Sequence, residues 1–230
     1  MSVVRRIQCG VRAVTNHGQR VYTVELEPCM AVPKFHPGQF LRLALDAYEP
    51  DGFWPDSRVF SIASSPRERD QLAITYAVKG VFTARMEREL AIGGKAWVKL
   101  PYGEFVVDSS RDAVLFAGGT GITAFTAFLQ SLTPAQVPRV LLFYGARKPD
   151  LFAYRSLAET CAHDVTSLTC SLVCEETHGR LEVDAAWPAI ATLHEPLFYL
   201  SGPPPMLRAL TAQLRGRGVS MEVIRTDAWE

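Results

Sequence analysis

The segment Ala117-Gly118-Gly119-Thr120-Gly121-Ile122-Thr123 carries the clearest chemical signal in this chain. It follows the apolar run Ala113-Val114-Leu115-Phe116 and leads into Ala124-Phe125-Thr126-Ala127-Phe128-Leu129, which reads as helix. Strand, glycine turn and helix in that order expose backbone N–H groups at a helix N-terminus. The helix dipole favours an anion there, and the missing side chains let a phosphate approach closely. The segment is neither a G-x-G-x-x-G fingerprint nor a P-loop, because no Lys-Ser/Thr follows its last glycine.

A second group, Arg58-Val59-Phe60-Ser61, opens an extended run that ends at Pro66. On a strand, Arg58 and Phe60 share one face while Val59 and Ser61 share the other. A cation for phosphate, an aromatic plane for stacking and a hydroxyl for a ring nitrogen suit a flavin. The alternative is an edge strand with a surface arginine and a core phenylalanine. Metal chemistry finds less support. The five cysteines (Cys9, Cys29, Cys161, Cys170, Cys174) show no Cys-x-x-Cys spacing, and the five histidines no His-x-x-x-His spacing. No metal site is expected, so any redox chemistry here needs an organic cofactor.

The elements that must position these groups fall into two rhythms. Up to about Asp108 the chain reads as short strands: Val21–Leu26, Phe40–Leu45, Leu72–Val78 and Ala96–Leu100, with a hairpin turn at Asn16-His17-Gly18-Gln19. One helix, Phe82–Leu90, interrupts them. Six or so strands with one helix predict an antiparallel barrel. From Ser109 the pattern alternates strand and helix, with strands over 113–117, 139–145, 165–174, 196–201 and 221–225 and an amphipathic helix over 206–214. That alternation predicts a parallel sheet with ligands at the carboxyl ends of its strands. The expected domains are residues 1–108 and 109–230.

Composition limits the partners. Lys plus Arg and Asp plus Glu number 24 each, so no net field argues for nucleic acid. Ala113 to Leu129 lacks charge, but its glycines and its length, short of about twenty residues, speak against a membrane span. The charged start, without an apolar run behind it, does not resemble a signal peptide, and a cytoplasmic location is expected.

Further motifs occur in a fixed order. Pro37-Gly38-Gln39-Phe40 precedes the Arg58 tetrad, and Ala77-Val78-Lys79-Gly80-Val81-Phe82-Thr83 and Pro101-Tyr102-Gly103-Glu104-Phe105 follow it. The glycine turn comes next, then Tyr144-Gly145-Ala146-Arg147 and Ser201-Gly202-Pro203-Pro204-Pro205-Met206. In this series the chain resembles the ferredoxin–NADP⁺ reductase family over nearly its whole length. The resemblance implies a flavin-binding barrel followed by a nicotinamide-dinucleotide domain, with the reactive rings meeting between them. Arg58 would pair with the flavin phosphate, Phe60 would stack on the ring, and Ser61 would bond near the atom that receives hydride. Ala77, Val78 and Lys79 would supply strand contacts, and Gly80, Val81, Phe82 and Thr83 would hold the pyrophosphate. Gly119, Gly121 and Thr123 would contact the dinucleotide, and Ser201, Gly202, Pro203 and Met206 would line its nicotinamide end. Asp227 would tune charge or relay a proton, against the alternative of a solvated terminal carboxylate. Trp229 would stack on the flavin face that the nicotinamide must occupy, against packing elsewhere or fraying.

Two departures stand out: Phe60 replaces the family's usual Tyr, and Ser201 stands where many members have Cys. The implied cofactor is FAD, with FMN open, and the substrate NADH or NADPH. Glu175-Glu176, where NADP-linked members commonly offer Ser and Arg, favours NADH; Arg147 and Arg180 are the counterweight. The acceptor would be a protein such as a ferredoxin or an oxygenase component. Reduction of free flavin as a substrate, or service as an electron-transfer subunit of a larger complex, are the alternatives.

Overall fold

A computed structural model describes residues 3–135 and 138–227. The chain divides into two compact units, Met1–Val106 and Val107–Glu230.

The first unit holds strands β1 (Arg5–Asn16), β2 (Val21–Pro28), β3 (Phe40–Ala44), β4 (Ser57–Ser61), β5 (Leu72–Ala77) and β6 (Lys95–Tyr102), with helix α1 (Val81–Glu89) between the last two. They form an antiparallel sheet in the order β4-β3-β6-β1-β2-β5. Just beyond β4, the Ala63 N–H donates to the Ala73 carbonyl in β5 at 2.8 Å. That bond draws the two edge strands together, so the sheet is a nearly closed barrel. Alternate residues such as Ile7, Val24, Leu26, Leu41, Leu43, Ile74 and Val98 fill it. The hairpin turn lies where the sequence places it: Gly18 has φ +85°, and the His17 N–H bonds the Val21 carbonyl. The longest strand, β1, gives only a weak pattern, because Gly10, Arg12 and a register shift between Val11 and Ala13 interrupt its alternation.

The second unit holds β7 (Ala113–Gly118), β8 (Val140–Ala146), β9 (Leu168–Cys174), β10 (Leu197–Ser201) and β11 (Ile224–Asp227). Its helices are α2 (Thr123–Ser131), α3 (Arg155–Asp164), α4 (Glu175–His178), α5 (Val183–Ile190) and α6 (Pro204–Gly216). All strand pairs are parallel, in the order β11-β10-β7-β8-β9. One sheet face packs Val114, Phe116, Phe143 and Phe198 against α5 and α6 residues including Val183, Ile190, Leu210 and Leu214. Among the described residues no helix is long and apolar enough to cross a membrane.

Two expected strands shift. Residues 165–167 do not join β9, because the Val165 N–H closes α3 onto the Cys161 carbonyl at 2.9 Å. Met221–Val223 is a 3₁₀ turn rather than strand, since the Ser220 hydroxyl accepts the Glu222 N–H at 3.3 Å. The last strand therefore runs to Asp227, which pairs with Ser201.

Candidate functional site

In the barrel unit the chemistry gathers on β4 and α1. Arg58 pairs in register with Leu43 and Phe60 with Leu41, which leaves the other side of β4 to the sheet edge. The Arg58 guanidinium carbon lies 4.9 Å from the centre of the Phe82 ring, a cation–π contact. Phe82 belongs to the first turn of α1, so this contact brings a cation to the positive end of a helix dipole. Nη1 of Arg58 donates to Asp56 Oδ1 at 2.6 Å and to the Ser57 carbonyl at 2.9 Å. Phe60 meets Tyr76 edge-on at 6.3 Å, and Ser61 is buried. Burial pushes the Tyr76 phenol up to about 12.

The loop before α1 departs from its expected use. The Thr83 hydroxyl accepts the N–H groups of Lys79 (2.9 Å) and Gly80 (3.1 Å) and can donate to the Gly80 carbonyl at 3.1 Å. The Val78 N–H is spent on the Arg20 carbonyl at 3.0 Å, and Ala77 pairs with Val21 inside the sheet. The Lys79 and Gly80 amides and Thr83 Oγ1 are thus engaged with one another within the loop, and the Val78 amide with Arg20. The first helical bond, from the Ala84 N–H to the Gly80 carbonyl (2.9 Å), begins only after Val81, Phe82 and Thr83, whose amides open the helix. Thr83 shapes this turn, and the amides of Val81, Phe82 and Thr83 stand ahead of the first helical bond. Two clasps fix the helix: Arg85 bonds Asp46 and Glu89, and Glu87 accepts from Arg20 and the Tyr22 hydroxyl. Those hydrogen bonds hold the Asp46, Glu87 and Glu89 carboxyls below their usual range.

In the second unit, the strand order reverses between β7 and β10: the chain leaves β7 toward β8 and β9 and returns on the other side to β10 and β11. Such a switch point opens a crevice at the carboxyl ends of the two strands, the usual ligand position in doubly wound sheets. The glycine turn follows β7, and Ser201-Gly202 ends β10. A Cβ on Gly121 would run into the Ser201 carbonyl and lie 2.7 Å from Gly202 Cα, so the two turns touch backbone to backbone. Gly119 takes φ +54° with open space beside it, and Gly118 and Gly202 leave room for the Met206 thioether. Thr123 is buried and its hydroxyl donates to the Thr120 carbonyl at 2.8 Å, so it closes the turn instead of presenting a free hydroxyl. Gly121 likewise serves the contact between turns. Pro203 precedes α6, and its carbonyl accepts the Met206 N–H at 2.9 Å.

Ser201 and Asp227 meet. Both are buried, and the Ser201 hydroxyl donates to Asp227 Oδ2 at 3.0 Å. Asp227 is thus no solvated carboxylate. Trp229 lies outside the described residues. At the ends of β8 and β9, the Arg147 carbonyl accepts the Glu176 N–H at 3.2 Å, which sets Arg147 beside α4. Glu175 pairs with Arg180 at 3.2 Å and Glu176 with Lys148 at 3.4 Å. Burial pushes the thiols of Cys9 up to about 12 and Cys170 up to about 11. Neither thiol is a ready nucleophile. No group of three or more His, Cys, Asp or Glu suited to a metal occurs among the described residues.

Each unit thus sets a helix or turn beside the residues that the sequence singles out: the first turn of α1 beside Arg58, and the glycine turn against Ser201-Gly202. The sequence reading missed Asp56. Its signal was its place two residues before Arg58, an acid and a base close enough along the chain for their side chains to meet.

Comparison with known proteins agrees with this architecture. Residues 115–212 match the model of the oxidoreductase NAD-binding domain. Tetrachlorobenzoquinone reductase of Sphingobium chlorophenolicum is 28% identical over 229 residues, covering 95% of this chain and 68% of that protein. The reductase component of phenol 2-monooxygenase from Pseudomonas sp. strain CF600 is 28% identical over 204 residues, covering 80% of this chain. The chain spans only about half the length of that relative, 54%. The crystal structure of Amycolatopsis cytochrome P450 reductase superposes with a TM-score of 0.85 at 21% identity, over 99% of this chain and 70% of that one. The fold is thus that of a barrel joined to a doubly wound nucleotide-binding unit. In sequence and fold the chain is similar to ferredoxin reductase-like proteins, and it carries the oxidoreductase NAD-binding domain.

Proposed function

We propose that this protein is a flavin-dependent NAD(P)H oxidoreductase that passes electrons to an acceptor protein, such as a ferredoxin or an oxygenase component. The observation that carries the reading is Arg58 lying on Phe82 in the first turn of α1. Cation and helix N-terminus converge there, as the phosphate of FAD or FMN requires. The relatives named as reductases support the reading. The chemistry a bound flavin supplies is acceptance of a hydride from reduced nicotinamide and release of electrons one or two at a time.

This chain's own residues bind and orient. Arg58 and the amides of Val81 to Thr83 hold the phosphate end. Phe60 offers a face for stacking, and Ser61 a hydroxyl on the other side of β4. In the second unit the glycine turn and Ser201-Gly202 hold the dinucleotide at the switch point. Because its proton is committed to Asp227, Ser201 offers lone pairs to an approaching donor group. The decisive experiment has two parts: acid release and identification of the flavin from the purified chain, and NADH oxidation with an artificial acceptor. A colourless protein with no NADH oxidation, even after added FAD and FMN, overturns the reading.

Free flavin as substrate is the second reading, supported by similarity to the NAD(P)H-flavin reductase of Aliivibrio fischeri, 27% identical over 183 residues. Retention of the yellow colour through gel filtration decides against it.

Two further outcomes are expected. NADH should be preferred to NADPH, because Glu175 and Glu176 repel a 2′-phosphate and can accept bonds from ribose hydroxyls. Their partners Arg180 and Lys148 temper that repulsion, and such exposed pairs are worth only about 0.2–1 kcal/mol each. The double change Glu175→Ala with Glu176→Ala frees both cations and should narrow the ratio of kcat/KM values by up to roughly tenfold. An unchanged ratio removes α4 from cosubstrate selection. Ser201→Ala withdraws a buried donor from a charged acceptor, which costs about 1.5–3 kcal/mol in stability. It should also slow nicotinamide oxidation while the flavin content holds. Denaturant unfolding and stopped-flow reduction read the two effects. Wild-type values for both would make the Ser201–Asp227 bond incidental.

A further inference from the structure

We propose that Asp56 competes with the flavin phosphate for Arg58 and so sets how tightly this protein holds its flavin. The inference rests on the reading that Arg58 receives that phosphate. Asp56 lies in the bend just before β4 and Arg58 is the second residue of that strand, so one intervening residue keeps carboxylate and guanidinium within reach of each other. The 2.6 Å Nη1–Oδ1 bond is short even for a charge-assisted contact. Among the ion pairs of the described residues, Asp56 pairs with Arg58 alone. The other carboxylates near α1 are held by other cations, Asp46 and Glu89 by Arg85 and Glu87 by Arg20.

A phosphate that binds the guanidinium must approach this carboxylate. It either shares the cation beside a like charge or displaces Asp56 from Nη1, and both oppose binding. The Phe82 ring under the guanidinium gives the cation a second contact, independent of the Asp56 carboxylate, at the helix end. Asp56 is therefore not required to orient Arg58. Side chains 52% and 64% exposed place the pair in screened surroundings, so the opposition is a several-fold adjustment and not a block. The consequence is a flavin affinity set several-fold below what Arg58 and the helix end would give without the carboxylate.

The sign of the effect separates this role from a structural one. A carboxylate that merely orients Arg58 would, when neutralised, weaken flavin binding; a competitor would strengthen it. The test titrates the full-length chain, stripped of flavin, with FAD, FMN and riboflavin, which lacks phosphate. Asp56→Asn is expected to tighten FAD and FMN by about three- to tenfold, with slower release, and to leave riboflavin unchanged. Unchanged or weaker FAD binding overturns the proposal, and so does an equal gain for riboflavin. Arg58→Ala, measured alongside, should lower FAD and FMN affinity toward that of riboflavin. If Arg58→Ala leaves FAD affinity intact, the assignment of Arg58 itself fails. If Arg58→Ala weakens FAD but Asp56→Asn changes nothing, only the competition fails.

Discussion

Arg58→Ala is expected to purify with most of its flavin gone. The guanidinium is the cation at the N-terminus of α1, where Phe82 seats it 4.9 Å from its ring centre. A charge-assisted hydrogen bond contributes about 1.5–3 kcal/mol. Its loss weakens binding by roughly tenfold to a hundredfold or more, since each 1.4 kcal/mol is a factor of ten. The barrel itself should survive, because Arg58 is an exposed residue on an edge strand whose hydrogen bonds, among the described residues, go to Asp56 and the Ser57 carbonyl. A thermal unfolding midpoint close to wild type, with flavin absorbance largely lost, is the expected pair of results. Thr83→Ala should cost less flavin, because its hydroxyl ties the Lys79 and Gly80 amides within the loop and leaves the amides of Val81, Phe82 and Thr83 in place. A full flavin complement in Arg58→Ala would remove β4 from the phosphate site.

Much of the barrel was legible because half-buried strands alternate. Val21–Leu26 and Leu72–Val78 carry that period plainly, and their pairing places Tyr22 opposite Tyr76. The central strand β7 was legible for the opposite reason: buried at every position, it reads as an unbroken apolar run. Where the period failed, the cause was local. β1 is crossed by Gly10 and the exposed Arg12, and the last strand begins late because Ser220 nucleates a turn. Types and order of residues also singled out the segments that come together at α1 and after β7. What they could not supply was how each hydroxyl is used. Thr83 and Thr123 look like ligand donors in a linear reading, yet each folds back on its own turn, three residues behind. The meeting of Ser201 with Asp227 was equally hidden. It depends on β11 lying beside β10 in register, a pairing between residues 26 apart.

That long-range pairing also explains why the glycines of this turn should not be equivalent, and why Gly121→Ala should be the most damaging of the three alanine changes there. Gly118, Gly119 and Gly121 look alike in the sequence, but each answers a different demand. At Gly118 an added methyl meets the Met206 thioether, with Sδ 2.5 Å and Cε 2.8 Å away, and that flexible side chain can swing aside. At Gly119 there is open space, and the cost is the positive φ, about 1 kcal/mol for alanine. At Gly121 the methyl meets backbone: the Ser201 carbonyl and, 2.7 Å away, Gly202 Cα. Neither can rotate away, because Ser201 is the last residue of β10 and is bonded to Asp227 on β11. The strain must therefore part the two turns that form the crevice at the switch point. Overpacking of this kind typically costs about 1–3 kcal/mol in stability, and here it also dismantles the proposed dinucleotide site. Gly121→Ala is expected to abolish NADH-dependent flavin reduction while the barrel keeps its flavin. Gly118→Ala and Gly119→Ala should retain most activity and unfold at progressively lower denaturant. Equal losses across the three variants would mean that the glycines serve the ligand directly, and that the contact between the turns contributes little.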